Sequence, residues 1–79
     1  MVMRQTLDRV ALSTRVEVVD IRGGWGVRQR LNQLGIHPGD HMMVKRSGIF
    51  HGPVLIAIHG CDVAIGRGMA RHVIVREIT

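Results

Sequence analysis

Short apolar and β-branched runs recur along this chain between glycine-containing turns, which predicts a protein made mainly of β-strands. The clearest run covers residues 54–59, in which Val54, Ile56 and Ile58 alternate with other residues and share one face. We predict about five strands, at residues 15–21, 41–46, 54–59, 61–65 and 73–78. Because closure removes exposed sheet edges, we expect these strands to form a small closed barrel.

The first long strand has an ambiguous face. Val16 and Val18 favour one side of the sheet, whereas Val19 and Ile21 favour the other. A bend or a β-bulge within the strand would allow both pairs to face the core.

The segment between the first two long strands has the period of a helix. Val27, Leu31 and Leu34 are spaced i, i+4 and i+7, so they share one helical face. Gly35 follows where a left-handed carboxyl-terminal cap is expected, and Ile36 can then fold back on the last turn. We expect a second helical turn before the last strand, at residues 66–72, and a turn of helix at residues 6–12.

Composition limits both the size and the chemistry of the protein. The chain has 79 residues, which indicates one domain over residues 1–79, and only 3% are aromatic. Its single cysteine, Cys61, excludes an intramolecular disulfide. The formal charge of +5 fits scattered surface residues or an acidic partner, and the absence of a long basic run favours scatter.

The amino-terminal residues have no continuous apolar run, and no stretch reaches the ~18–20 apolar residues of a membrane span. We therefore expect a cytoplasmic protein that is not inserted in a membrane.

No catalytic, cofactor or metal site is expected. The Gly23-Gly24-Trp25-Gly26 stretch precedes a helix but lacks the Lys-Ser/Thr end of a phosphate loop. The five histidines and Cys61 show no spacing typical of structural zinc. We also find no carboxylate pair and no base placed beside Cys61, so the sequence predicts a protein that is not an enzyme.

Three large apolar residues lie in polar or glycine-rich surroundings. Ile49 and Phe50 occupy a loop between two predicted strands, and Trp25 precedes the helix. Each of these residues either contacts a partner or covers the thin core, and both interpretations stay open.

The stretch Gly-Gly-Trp-Gly-Val-Arg-Gln-Arg-Leu-Asn-Gln-Leu-Gly-Ile-His-Pro-Gly-Asp at residues 23–40 resembles the helix of the ferrous iron transport protein A (FeoA) family. The similarity continues through Gly52-Pro53, Gly60 and residues 63–65, 70 and 73–75, and covers about residues 6–78. This resemblance implies an SH3-like barrel and a cytoplasmic accessory protein without enzymatic activity. It also implies a partner, the cytoplasmic GTPase region of the membrane ferrous iron permease, which the protein would bind and regulate.

In that interpretation three arginines steer the protein to an acidic face and three apolar side chains supply the contact. The partner-binding residues predicted in this way are Trp25, Arg28, Arg46, Ile49, Phe50 and Arg67. Neither nucleic acid nor a metal is an expected ligand, and weak self-association stays open.

Two alternatives keep the barrel and change the role. The first is a stand-alone SH3-like regulatory domain, similar to the carboxy-terminal domain of metal-dependent repressors, which would bind a proline-rich segment or a metal. The second is a basic binder of single-stranded nucleic acid, which the near-absence of stacking aromatic residues disfavours.

Overall fold

The computed structural model describes residues 3–46 and 52–78, within which six antiparallel strands form one sheet. Two short α-helices and a 3₁₀ turn connect these strands. In chain order the elements are β1 (Arg4–Thr6), the 3₁₀ turn (Leu7–Arg9), β2 (Arg15–Ile21), α1 (Trp25–Gln33), β3 (His41–Arg46), β4 (Val54–Ile58), β5 (Cys61–Ile65), α2 (Arg67–Ala70) and β6 (Val73–Glu77). The mainly β architecture and both helix positions predicted from the sequence are confirmed.

The strand count and the closure of the barrel require correction. Strands are ordered β1-β6-β2-β3-β4-β5, so β1 and β5 are the two edges of an open sheet. The additional strand, β1, has three residues and pairs with β6 from Arg4↔Arg76 to Thr6↔Ile74. The chain turns into the 3₁₀ turn directly after Thr6, and β1 is therefore too short to close the sheet onto β5.

Strand β2 resolves its ambiguous face with a bulge, as the sequence predicted. Val16 and Val18 are buried, and the pairing with β6 then shifts between Val18 and Asp20. Beyond the shift Ile21 is buried on the same side, while Val19 is only partly covered. The extra residue therefore returns the end of the strand to the core.

The carboxyl end of α1 is a complete Schellman motif. Leu34 caps the helix and Gly35 adopts a φ of 81°. The N–H of Gly35 donates to the carbonyl of Asn32 at 3.0 Å, and the N–H of Ile36 donates to the carbonyl of Leu31 at 3.0 Å. Since Leu31 and Ile36 are both fully buried, the motif fixes the direction in which the chain leaves the helix.

One aliphatic core holds the sheet and both helices together. In the described residues no polar or charged side chain is buried. Val27 and Leu34 of the α1 region pack against this core, as their spacing predicted. The core consists of Leu7, Val10, Val16, Val18, Ile21, Leu31, Ile36, Met42, Val44, Val54, Ile56, Ile58, Ile65, Ala70, Val73 and Val75.

A two-residue hairpin joins β4 to β5. Ile58 pairs with Cys61, and the two residues between them have positive φ angles, 52° at His59 and 77° at Gly60. These angles are those of a type I′ turn, whose twist matches that of the flanking strands. In the part of the chain that the structure describes, no helix is long and apolar enough to cross a membrane.

A candidate partner-binding surface

The amino-terminal turn of α1 carries a large exposed aromatic side chain. Trp25 is the first residue of the helix, and 78% of its surface is exposed. The helical period explains this exposure, because Val27 and Leu31 turn the opposite side of α1 toward the core. The structure therefore excludes the interpretation in which Trp25 covers one end of the core.

Trp25 is flanked by two glycines, which have no side chains to cover the backbone. Gly24, the N-cap residue, and Gly26 both have open space where a Cβ atom would lie, with no atom of a non-neighbouring residue within 4 Å apart from the backbone of the helix itself. Gly23 differs, because its φ of +119° and the proximity of Val27 and His72 both favour glycine. Gly23 is therefore required by the backbone, and Gly24 suits the N-cap position, where glycine is favoured over alanine. Gly26 is not explained by the fold of this chain.

The same region is basic. Arg22, Arg28 and Arg30 lie in or beside α1, and the sequence has no acidic residue between Asp20 and Asp40. The Nε of Arg28 donates to the Gly23 carbonyl at 3.2 Å, which ties the start of the helix together. The sequence indicated a partner-binding role for Arg28 and gave no sign of this local structural contact.

Two ion pairs lie on the outer face of the sheet. The Arg76 Nε donates to Glu17 at 2.7 Å, and the Lys45 Nζ lies 3.2 Å from an Asp62 oxygen. Within residues 3–46 and 52–78, by contrast, the three arginines near α1 form no ion pair. Arg22 and Arg28 therefore make the amino end of α1 a basic surface that is available to an acidic partner, and Arg30 lies in the last turn of the same helix.

The remaining predicted contact residues lie on other elements. Arg46 is exposed at the far end of β3, about 17 Å along the strand from His41. Arg67 is partly buried at the first position of α2. Ile49 and Phe50 lie outside the described residues. That all six predicted residues contribute to one partner-binding surface stays a prediction.

Two histidines converge on one carboxylate near the other end of α1. His37 Nδ1 lies 3.4 Å from one oxygen of Asp40, and His59 Nε2 lies 3.3 Å from the other. The second ring nitrogen of His37 contacts the side-chain oxygen of Asn32. These contacts connect the turn after α1 to the β4–β5 hairpin, a link that sequence spacing could not reveal.

Metal-ligating residues do not assemble into a site in the described part of the chain. There, no group of three or more His, Cys, Asp or Glu side chains is arranged to hold a metal ion. Cys61 is exposed at the start of β5.

Comparison with known proteins gives consistent results for sequence and fold. The family model described as the FeoA domain matches residues 5–77. A protein of Methanocaldococcus jannaschii named putative Fe(2+) transport protein A is 40% identical over 62 residues, which cover 78% of this chain and 73% of that protein.

Solved structures show the same architecture. The crystal structure of an iron uptake regulatory protein (FeoA) is 36% identical, with a TM-score of 0.88 over 96% of this chain and 99% of that one. A manganese-dependent transcriptional repressor is 18% identical, with a TM-score of 0.89 over 99% of this chain and 44% of the repressor. The likeness to the repressor shows a shared fold alone.

Proposed function

Because the chain belongs to the FeoA family, we propose that it is a cytoplasmic accessory protein of ferrous iron uptake that binds and regulates the GTPase-containing membrane permease. The proposed partner is the permease's cytoplasmic GTPase region. One observation indicates which surface would serve this role. The exposed Trp25 lies beside arginines that form no ion pair in the described residues. Tryptophan and arginine are the residues most enriched among the energetically dominant contacts of protein interfaces.

The proposed contact residues are those indicated by the sequence: Trp25, Arg28, Arg46, Ile49, Phe50 and Arg67. The role needs neither catalysis nor a cofactor in this chain.

Calorimetry tests this function directly. Purified protein is titrated into the purified cytoplasmic GTP-binding domain of the cognate iron permease, at low and moderate salt, with and without a GTP analogue. We expect saturable binding that weakens as salt rises, because arginines contribute to the encounter. Absence of binding in every nucleotide state would contradict the proposed partner.

Two variants test the apolar part of the contact. Phe50→Asp, in the segment outside the described residues, is expected to weaken binding while the melting temperature stays nearly unchanged. Leu12→Asp provides the control, since Leu12 is also an exposed apolar residue, at 53%, and is outside the proposed contact set. A large fall in melting temperature for Phe50→Asp would instead place Phe50 in the core.

A further inference from the structure

The amino-terminal turn of α1 combines an exposed indole with glycines that leave the neighbouring backbone accessible. An indole is exposed to solvent, although burying it would favour folding. Gly26 occupies the second position of a helix, where alanine would stabilise the helical backbone better. Both Gly24 and Gly26 have room for a Cβ atom, and neither has a positive φ angle.

A partner that closely approaches the helix would account for these features together. Glycine exposes backbone that another molecule can reach, and a side chain at either position would stand between the helix and that molecule. The exposed indole between the two glycines then offers an apolar side chain flanked by residues that have no side chain of their own. The pattern fits insertion of Trp25 into a cleft whose walls reach the helix.

The charged residues around Trp25 indicate which charge the cleft of the partner should carry. Arg22 and Arg28 lie near Trp25, and the sequence has no acidic residue between Asp20 and Asp40. An acidic rim on the partner would complement them and would guide the encounter.

A folded protein fits this surface better than a membrane or a nucleic acid does. Peripheral helices that bind lipid present a broad apolar face, whereas Gln29 and Asn32 follow Trp25 along the outside of α1. Binders of single strands use several stacked aromatic rings, and Trp25 is the chain's only tryptophan.

We propose that the segment Arg22–Arg30 is the anchor of the docking interface, in which Trp25 enters an acid-rimmed cleft of a protein partner and Gly24 and Gly26 contact its walls. The inference rests on the proposed function, because it takes the permease's cytoplasmic region as that partner. It adds the two glycines and Arg22 to the contact, and it specifies the chemistry of the receiving surface.

The single tryptophan provides a direct test. The protein is labelled with 5-fluorotryptophan, and its ¹⁹F resonance is followed while the permease's cytoplasmic domain is added. We expect the Trp25 resonance to shift at saturation and to lose its response to solvent isotope, since the indole leaves water. Calorimetric binding with an unmoved resonance would overturn the inference and leave the proposed function intact.

The glycines are tested by substitution with alanine. Gly26→Ala is expected to raise the melting temperature and to weaken binding about tenfold. Gly24→Ala is expected to weaken binding and to lower the melting temperature slightly, because alanine is a poorer N-cap residue than glycine. Gln33→Ala, at the carboxyl end of the same exposed helix, is the matched control and should bind like the wild type. Unchanged affinity in both glycine variants would refute close contact with the backbone.

The same resonance distinguishes other partners. Vesicles of phosphatidylglycerol and phosphatidylcholine and a single-stranded oligonucleotide are titrated as separate probes. A shift of the Trp25 resonance with vesicles or with the oligonucleotide, and no shift with the permease domain, would overturn the proposal that the partner is a protein. If calorimetry shows no binding to the permease domain at all, the proposed function fails, and this inference fails with it.

Discussion

The two ends of α1 differ in how they are capped and in how much of them is buried. At the carboxyl end, Gly35 and Ile36 complete hydrogen bonds to the helix and Ile36 is fully buried. At the amino end, Gly24 provides no side-chain cap and Trp25 is 78% exposed. One end satisfies its own backbone and packs into the core, whereas the other leaves its largest side chain to solvent. Stability and recognition can thus be assigned to separate turns of one nine-residue helix.

The largest expected effect on folding comes from truncating a buried side chain at the carboxyl end of α1. Ile36→Ala should lower the free energy of unfolding by about 2–5 kcal/mol, because it removes a fully buried side chain and leaves a cavity. Urea titration followed by circular dichroism measures this loss. Ile36→Val is the control and should cost only about 0.5–1.5 kcal/mol. A loss below 1 kcal/mol in Ile36→Ala would show that the motif does not depend on this contact.

A smaller effect is expected from the backbone of the same end. Gly35→Ala should destabilise the protein by about 1–2 kcal/mol, since φ is 81° and a Cβ atom disfavours that conformation. The available space at Gly35 is not the cause, because no atom lies within 4 Å of a Cβ placed there. Equal stability of Gly35→Ala and wild type in urea would contradict a purely conformational requirement for glycine.

At the amino end of α1, replacing glycine by alanine is expected to change stability in the opposite direction. Gly26→Ala should stabilise the protein by up to about 1 kcal/mol, because alanine favours the helix and meets no neighbour. Differential scanning calorimetry of this variant beside Gly35→Ala would compare the two glycines directly. If both substitutions destabilised the protein, the contrast between the ends would be wrong.

Local features of this fold were largely predictable from the sequence. Gly35 after the apolar spacing of α1 predicted the cap, and the conflict between Val16/Val18 and Val19/Ile21 predicted the bulge in β2. Each depends on a few neighbouring residues and on the period of one element.

Features that depend on distant pairing were missed. Strand β1 has only three residues and gains its partners from β6, at the other end of the chain. The convergence of His37 and His59 on Asp40 likewise depends on how the β4–β5 hairpin lies against the turn after α1. Neither arrangement has a local period that the sequence could reveal.

The sequence predicted residues of the candidate surface but not how they are arranged. Trp25 and Arg28 were selected from the sequence, but the exposure of one and the backbone contact of the other follow from how α1 packs. The open space beside Gly24 and Gly26 also becomes visible only when neighbouring elements are in place.

Trp25→Ala separates stability from recognition when its unfolding free energy and its affinity for the permease's cytoplasmic domain are measured on one preparation. We expect an unfolding free energy within about 0.5 kcal/mol of the wild type, because the side chain is 78% exposed. We also expect at least a tenfold loss of affinity by calorimetry. Unchanged affinity, or a loss of stability as large as the loss of binding free energy, would contradict the assignment of Trp25 to recognition.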